Sequence, residues 1–184
     1  MTALWPPAYP EALLARARRV RLFGFDVDGT LTDGRLVYSA DGHEAKAFHA
    51  QDGLGMGLLQ RAGIVLALIT ARASPVVEQR GRELGIAHVH TRERDKLGCL
   101  QRIAAGLGLG LDEVGFMGDD LPDLAVLRAV GLAIVPANAH PWVLPAAHWT
   151  TPRSGGSGAA RDACDLLLHA RGAVDPILAA GVHP

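Results

Sequence analysis

The sequence predicts an α/β fold with a doubly wound, Rossmann-like parallel sheet, built as a single domain over residues 1–184. Short apolar runs alternate with helical patterns along most of the chain, as parallel strands joined by crossover helices require. Two acidic clusters, Asp26–Thr30 and Gly118–Asp123, each follow an apolar run that has the composition of a buried strand. Because ligands bind beyond the carboxyl ends of parallel strands, the carboxylates of both clusters can meet there.

The first half of the chain begins with a short helix and a buried strand. The helix is predicted over Leu13–Arg19, and the strand over Leu22–Val27 leads into the first acidic cluster. Further on, Asp52–Arg61 carries leucines at helical spacing and stops at Gly63, and the apolar run Ile64–Ile69 predicts the second strand of the sheet.

The second half repeats the pattern of helix and strand. Ser74 as N-cap, Pro75 at the first helical position and Gly85 at the end delimit one helix. The same criteria predict strands at Ala87–His90, Val114–Met117 and Leu132–Val135, and helices at Lys96–Leu107, Asp123–Ala129 and Asp162–Leu168.

Residues 35–49 interrupt this alternation directly after the first acidic cluster. Arg35–Ser39 and His43–His49 have the composition of two strands, and the turn between them contains an Asp-Gly pair. Such a β-hairpin stands over the ligand-binding end of the sheet but is too small to close a pocket alone. It leaves apolar side chains uncovered, which is typical of a subunit interface, and the chain is therefore predicted to be an oligomer.

Composition excludes several classes of function. The net charge of −1 provides no basic surface for nucleic acid. No apolar run reaches the roughly 18 residues of a membrane span, and Met1–Pro7 does not have the pattern of a signal peptide. Cys99 and Cys164 are too few for a disulfide framework, so a cytoplasmic location is expected. Residues 154–184 are predicted to form a tail, flexible at Ser154–Gly158 and followed by a C-terminal helix.

The first acidic cluster has the residues that phosphoryl transfer needs. The Asp26 carboxylate can attack a phosphoryl group, and Asp28, two residues on, can act as general acid and base. Thr30 offers a hydroxyl and an amide to phosphate oxygens. A divalent cation, Mg²⁺, has to offset the repulsion between an anionic nucleophile and an anionic substrate. The alternative for this cluster alone is a capped surface turn, because Asp-Gly pairs are common in turns.

The second cluster strengthens the case for a metal site. Asp119, at a strand end, is a candidate ligand, and Asp120 and Asp123 are either ligands or partners that act through water. The alternative is a helix N-terminus with acidic residues in its first turn. Three carboxylates within five residues are more than a helix cap needs.

Two further positions complete a candidate phosphate site. Thr70 ends the second strand of the sheet, where its hydroxyl and the amide of Ala71 can bind phosphate oxygens. Lys96 opens a helix, where its ammonium opposes the helix dipole unless it faces an anion. The alternatives are an ordinary strand-terminal threonine and a solvated lysine.

The order Asp-x-Asp, Thr, Lys, Gly-Asp-Asp over Phe25–Asp123 resembles the four motifs of the haloacid dehalogenase superfamily of phosphohydrolases. The runs Asp26–Gly34, Lys46–His49 and Ala137–Pro141 are similar to one group within it, whose substrates are phosphorylated sugar acids. That resemblance implies a member with a small hairpin in place of a cap domain, which forms a homotetramer whose subunits complete one another's active sites.

By the same resemblance Asp26 is the nucleophile, Asp28 the acid/base, and Thr70 and Lys96 bind phosphate. It implies that Mg²⁺ is held by Asp26, the backbone carbonyl of Asp28 and Asp119. Arg72 becomes a candidate for binding the substrate carboxylate.

The chain departs from the group at two places. Ala71 stands where glycine is usual, and Ser157 replaces an arginine in a Gly-Gly-Arg-Gly run, here Gly155–Gly158. Arg153 and Arg161 are the candidates to replace the lost cation. Three alternatives stay open: a phosphatase of nine-carbon sugar-acid 9-phosphates, a non-catalytic tetramerisation module, and a phospho-receiver domain, which would have no use for Asp28 or the hairpin.

Overall fold

The computed structural model describes residues 8–181, so the prediction made for Met1–Pro7 falls outside the described residues. A six-stranded parallel sheet forms the centre of the molecule, in the order β5-β4-β1-β6-β7-β8. Its strands are β1 (Leu22–Phe25), β4 (Val65–Ile69), β5 (His88–His90), β6 (Val114–Met117), β7 (Leu132–Val135) and β8 (Trp149–Thr150). The predicted doubly wound α/β class is confirmed. β8, a two-residue strand at the sheet edge, is an addition to the predicted strands.

Seven α-helices surround the sheet in the described part of the chain. They are α1 (Glu11–Arg19), α2 (Ala50–Arg61), α3 (Pro75–Glu83), α4 (Lys96–Gly106), α5 (Leu124–Ala129), α6 (Ala159–Ala170) and α7 (Val174–Ala180). Pro75 begins α3 and Gly85 follows its end with positive φ, as predicted. Helix α7 was not predicted from the sequence. None of the helices within residues 8–181 has the length and apolar character needed to cross a membrane.

Two apolar cores lie on opposite faces of the sheet. Helices α1, α2 and α6 cover one face, which includes Phe23 and Phe25, and α4 and α5 cover the other, which includes Phe116. Strands buried on both faces are characteristic of parallel sheets and account for their continuous apolar runs. In the β1–β6 pair each large ring lies against a glycine, Phe116 beside Gly24 and Phe23 beside Gly115. These glycines let both faces pack closely.

The predicted hairpin forms after β1. Its strands are β2 (Val37–Tyr38) and β3 (Glu44–Ala45), paired antiparallel. Leu36, Val37 and Tyr38 are each about half exposed, at 49%, 54% and 55%. The hairpin therefore presents apolar surface to solvent, as the sequence predicted.

The segment Ser154–Gly158 differs from the expectation of a flexible tail. Gly155 is buried and its amide donates to Oδ1 of Asn138 at 2.8 Å, while the amide of Gly156 donates to the carbonyl of Thr30 at 3.3 Å. A Cβ on Gly155 would lie 1.8 Å from the carbonyl oxygen of Gly29. The glycines let this segment pack directly against the first acidic loop. Helices α6 and α7 then complete the chain to Ala180.

Candidate active site

The two acidic clusters meet at the carboxyl ends of β1 and β6, which are adjacent strands. Oxygen atoms of Asp26, Asp119 and Asp123 lie within 4.8 Å of one another. Asp26 continues β1, and its amide donates to the carbonyl of Met117 at the end of β6 at 2.9 Å. Gly29 in the adjoining loop has φ of +93°, and a Cβ there would lie 2.1 Å from Oδ2 of Asp119. The close approach of the loop to Asp119 thus depends on this glycine.

Lys96 occupies the base of the site and joins the clusters. Its ammonium donates to Oδ1 of Asp26 and to Oδ1 of Asp123, each at 2.6 Å, and its side chain is 4% exposed. Lys96 is the first residue of α4, where Asp95 caps the helix by accepting from the amide of Gly98. The lysine at a helix N-terminus therefore does face anions, as its position predicted.

The electrostatics of this group fit a divalent cation. Three carboxylates and one ammonium leave a formal charge of −2 in a largely buried site. Burial, and then the charge of Asp123, raise the pKa of Asp26 well above its usual range. The same causes raise the pKa of Asp119 to about 6. Hard oxygen ligands with excess negative charge are what Mg²⁺ prefers, so the residues present fit that ion.

Asp123 is bonded both to Lys96 and to the backbone of the second acidic cluster. Its Oδ1 accepts from Lys96, and its Oδ2 accepts from the amides of Asp119 and Asp120 at 3.1 and 3.3 Å. These bonds orient Asp119, which agrees with a supporting role for Asp123. Asp120 is exposed, and its carboxylate accepts from the amide of Leu121.

The Asp28 side chain does not join the other carboxylates. Its Oδ1 is bonded to the ammonium of Lys46, and its Oδ2 accepts from the hydroxyl of Thr70 at 3.3 Å. Thr70 follows β4 and also accepts from the amide of Arg72 at 3.2 Å. The carboxylates of Asp26 and Asp28 thus have separate cations, and the carbonyl of Asp28 stays a predicted metal ligand.

The hairpin contributes polar groups to which the sequence analysis gave no role. Oε1 of Glu44 accepts from Arg72 at 3.0 Å and lies 3.2 Å from the ammonium of Lys46, and Oε2 accepts from the hydroxyl of Ser74 at 2.7 Å. Burial works against the ionised Glu44, but the hydrogen bonds from Ser74, Arg72 and Lys46 outweigh it and lower the pKa of Glu44. In the sequence, only the Lys46–His49 run pointed to these polar contacts of the hairpin. The contacts themselves form when the hairpin folds back onto the loops after β1 and β4, which a local sequence pattern does not predict.

Two predicted substrate contacts look different in the structure. Thr30 is fully buried, and its hydroxyl donates to Oδ1 of Asp119 at 3.2 Å, so this hydroxyl supports Asp119 instead of facing open space. Arg72 is bonded to the hairpin through Glu44 and through the hydroxyl of Tyr38 at 2.5 Å. Ala71 adopts an ordinary negative φ, because among the described residues Arg92 is the one non-glycine with positive φ. Alanine therefore fits this backbone without strain.

The two arginines near the C-terminal departure are already paired. Arg153 donates to Asp162 at 2.8 Å and to Gln51 at 3.0 Å, and Arg161 donates to Asp165 at 2.7 Å. Both guanidinium groups are thus held by ion pairs with carboxylates of α6, and Arg153 is held in addition by a hydrogen bond to Gln51 of α2.

A cleft of about 300 Å³ opens over the site. It is lined by Asp26, Asp28, Gly34, Thr70, Ala71, Arg72, Lys96, Asp119, Asp120, Pro122 and Asp123. The candidate nucleophile, acid/base, phosphate ligands and metal ligands therefore share one opening. Three candidate residues do not line it, namely Thr30, Arg153 and Arg161.

Comparison with known proteins agrees with this geometry. A family model described as haloacid dehalogenase-like hydrolase matches residues 82–161. The chain is 40% identical over 161 residues to the 3-deoxy-D-manno-octulosonate 8-phosphate phosphatase KdsC of Yersinia pestis, which covers 88% of this chain and 86% of that protein.

Solved structures give the same result. A hypothetical protein from Xanthomonas campestris superposes with a TM-score of 0.93 and 51% identity, covering 100% of this chain and 99% of that one. A 3-deoxy-D-manno-octulosonate 8-phosphate phosphatase from Moraxella catarrhalis, in complex with magnesium ion, phosphate ion and KDO, has a TM-score of 0.91 and 39% identity. That match covers 94% of this chain and 99% of the other.

Proposed function

The chain belongs to the haloacid dehalogenase-like hydrolases, in the family of 3-deoxy-D-manno-octulosonate 8-phosphate phosphatases, and we propose that it releases phosphate from that sugar-acid phosphate. The cofactor is Mg²⁺, and the free sugar acid formed serves lipopolysaccharide synthesis. The observation that carries the proposal is the meeting of Asp26, Asp119, Asp123 and Lys96 below one cleft with Asp28 at its side.

In the first step the Asp26 carboxylate attacks phosphorus and an aspartyl-phosphate forms as the bond to the C8 oxygen breaks. We assign the attack to Oδ2, because Oδ1 is held by Lys96. Asp28 gives its proton to the departing alkoxide, which is a poor leaving group unless protonated. Mg²⁺ held by Asp26, Asp119 and the carbonyl of Asp28 would supply positive charge that offsets the repulsion between the anionic carboxylate and the anionic phosphoryl group.

In the second step a water molecule attacks the aspartyl-phosphate. Asp28, now ionised, takes a proton from that water, and Asp26 and inorganic phosphate are released. Lys96, at the base of the site, and the backbone amide of Ala71 hold phosphate oxygens through both steps. The hydroxyl of Thr70 lies beside them and donates its one proton to Asp28. Lys96 also limits the charge that builds up next to Asp26.

Recognition of the sugar acid rests on Arg72 in this proposal. Arg72 lines the cleft, is planar and carries several donors, which suits a carboxylate. Its bonds to Glu44 and Tyr38 place it between the hairpin and the catalytic loops.

We also propose that the chain works as a homotetramer in the cytoplasm. The exposed side chains Leu36, Val37 and Tyr38 on the hairpin support an interface between subunits next to the cleft. The unpaired state of Cys99 and Cys164 supports a reducing compartment. Light scattering of the purified protein tests the oligomeric state.

The deciding experiment measures phosphate release by the purified protein with Mg²⁺. The 8-phosphate of 3-deoxy-D-manno-octulosonate is compared with the 9-phosphate of a nine-carbon sugar acid, with Asp26→Asn as the inactive control. A higher kcat/KM for the eight-carbon substrate supports the proposal, and a preference for the nine-carbon substrate refutes the substrate assignment. Absence of turnover on both, in a folded protein, refutes the sugar-acid class.

A further inference from the structure

Lysine is used very sparingly in this chain. Of its 18 lysines and arginines only Lys46 and Lys96 are lysines, and all the others are arginines. Both lysines are buried against the first acidic cluster: Lys96 donates to Asp26, and Lys46 donates to Asp28. A compact ammonium and a planar guanidinium are not interchangeable in a buried site. The two lysines of the chain are thus the residues whose ammonium groups contact Asp26 and Asp28, the candidate catalytic carboxylates.

Lys96 has a place in the mechanism above, whereas Lys46 has none. Its side chain is 1% exposed, so it is not a solvated surface lysine. It comes directly after β3 of the hairpin, 18 residues along the chain from Asp28. Through the ammonium of Lys46, the hairpin contacts the carboxylate of Asp28, the proposed acid/base.

The contacts of Asp28 divide between two parts of the molecule. Lys46 of the hairpin binds Oδ1, and Thr70 at the end of β4 binds Oδ2 at 3.3 Å. Asp28 lies in a loop, so its backbone alone does not fix the direction of its carboxylate. With both oxygens bonded, the side chain has one orientation at the edge of the cleft.

Lys46 is itself anchored. Oε1 of Glu44 lies 3.2 Å from its ammonium, and Glu44 in turn is bonded to Ser74 and Arg72 on the loop between β4 and α3. Once Asp28 has given up its proton, the charges of Asp28, Glu44, Lys46 and Arg72 sum to zero. This group is electrically balanced, in contrast to the metal-ligand group with its charge of −2. A balanced, hydrogen-bonded cluster is suited to holding geometry.

We propose that Lys46 is a positioning residue, which holds the Asp28 carboxylate in line with the oxygen that leaves the substrate. The inference rests on the proposed phosphatase chemistry, in which Asp28 supplies the proton for that oxygen. It assigns to the hairpin a part in catalysis within its own subunit, in addition to any part in assembly. Lys46 needs no contact with the substrate for this role.

The test uses two substrates of nearly equal size that differ in the need for a proton. Phenyl phosphate has the more basic leaving group and depends on Asp28, while p-nitrophenyl phosphate expels a stable anion without help. For Lys46→Met we expect kcat/KM on phenyl phosphate to fall on the order of 100-fold, the lower range of general acid catalysis. The ratio kcat/KM reports only the steps up to release of the leaving group, so the base role of Asp28 in the second step, which both substrates share, does not enter it. With p-nitrophenyl phosphate the loss is expected to be no more than about threefold, since proton donation contributes little there.

Two further variants keep the test informative. Lys46→Arg retains the charge but not the shape, so we expect the same selective loss on phenyl phosphate. Arg128→Lys, an exchange at an exposed site on α5, is the matched control and should act like the wild type on both substrates. Circular dichroism and light scattering confirm that each variant keeps its fold and assembly.

The outcomes separate the possible roles of Lys46. Equal losses of kcat/KM on both aryl phosphates would show that Lys46 binds phosphate or supports the fold, and would overturn the proposal. A wild-type kcat/KM of Lys46→Arg on phenyl phosphate would show that charge without position is enough, and would overturn it as well. Because aryl phosphates carry no sugar, the result is independent of the sugar-acid assignment, which fails or stands on its own substrates.

Discussion

Replacing Lys96 by methionine tests whether the buried charges at the base of the site are balanced as the structure indicates. The ammonium lies 2.6 Å from Asp26 and from Asp123, and the three side chains are 4%, 7% and 1% exposed. Methionine retains most of the volume but removes the cation. The formal charge of the group then changes from −2 to −3.

The magnitude follows from burial. Removing one partner of a buried ion pair costs about 3–5 kcal/mol, because the remaining charge is left without compensation. A proton taken up by a carboxylate reduces this cost, and the pKa of Asp26 is already raised by burial. Loss of the cation raises the pKa of Asp26 further in the folded state, so the folded variant binds more protons than the unfolded chain. The loss should therefore be larger at pH 8 than at pH 5.5.

The assay is urea unfolding of Lys96→Met and wild type, with and without Mg²⁺. Arg102→Met is the matched control, because Arg102 pairs with Glu93 at 2.8 Å but is 65% exposed, and an exposed pair contributes about 0–1 kcal/mol. A ligand at 100 times its Kd adds about 2.7 kcal/mol to stability, and the more negative variant should gain more than the wild type. The charge argument would be refuted if Lys96→Met lost as little free energy of unfolding as Arg102→Met. It would also be refuted if Mg²⁺ did not reduce the difference in stability between Lys96→Met and the wild type.

Three other predictions address the nucleophile, the metal site and the packing of the C-terminal segment. Asp26→Asn should abolish phosphate release while circular dichroism stays unchanged, and measurable turnover would exclude Asp26 as the nucleophile. Since the pKa of Asp119 is raised to about 6 by burial and then by Asp123, Mg²⁺ must displace a proton below that pH. Titration calorimetry should then show an apparent affinity for Mg²⁺ that falls by at least about tenfold per pH unit below pH 6; a flat profile would contradict this. Gly155→Ala places a methyl against the carbonyl of Gly29 and should lower the free energy of unfolding by about 1–3 kcal/mol, as overpacking does; Gly106→Ala, which meets nothing within 4 Å, is its control.

The sequence predicted the strands and the acidic clusters because both depend on local patterns. An apolar run that ends at Asp26 or at Asp119 places a carboxylate at a strand end whatever the rest of the chain does. The parallel sheet then brings the two ends together, since β1 and β6 are neighbours. Lys96 was predicted for the same reason, from its place at a helix start.

The contacts that the sequence did not predict depend on how loops fold back. The bond from Thr30 to Asp119 and the bonds of Glu44 to Ser74 and Arg72 join distant parts of the chain. No periodicity records such contacts. The glycine-rich run before α6 has the composition of a flexible linker and was predicted to be one. In the structure Gly155 and Gly156 instead pack on the first acidic loop, a contact that composition does not reveal.

The two lysines belong to two groups of charged side chains in the site, and these groups differ in net charge. Lys96 lies within a group that keeps a charge of −2, so this part stays attractive to a divalent cation and to the charge changes of phosphoryl transfer. Lys46 lies within a group whose charges cancel when Asp28 is ionised, so this part does not attract a further cation and holds a carboxylate in place. Adjacent aspartates with opposite requirements, one for attack and one for proton transfer, need such separate surroundings to act at the same pH. The separation depends on the hairpin, because without Lys46 the carboxylate of Asp28 would keep, of its two side-chain bonds, only the one to Thr70.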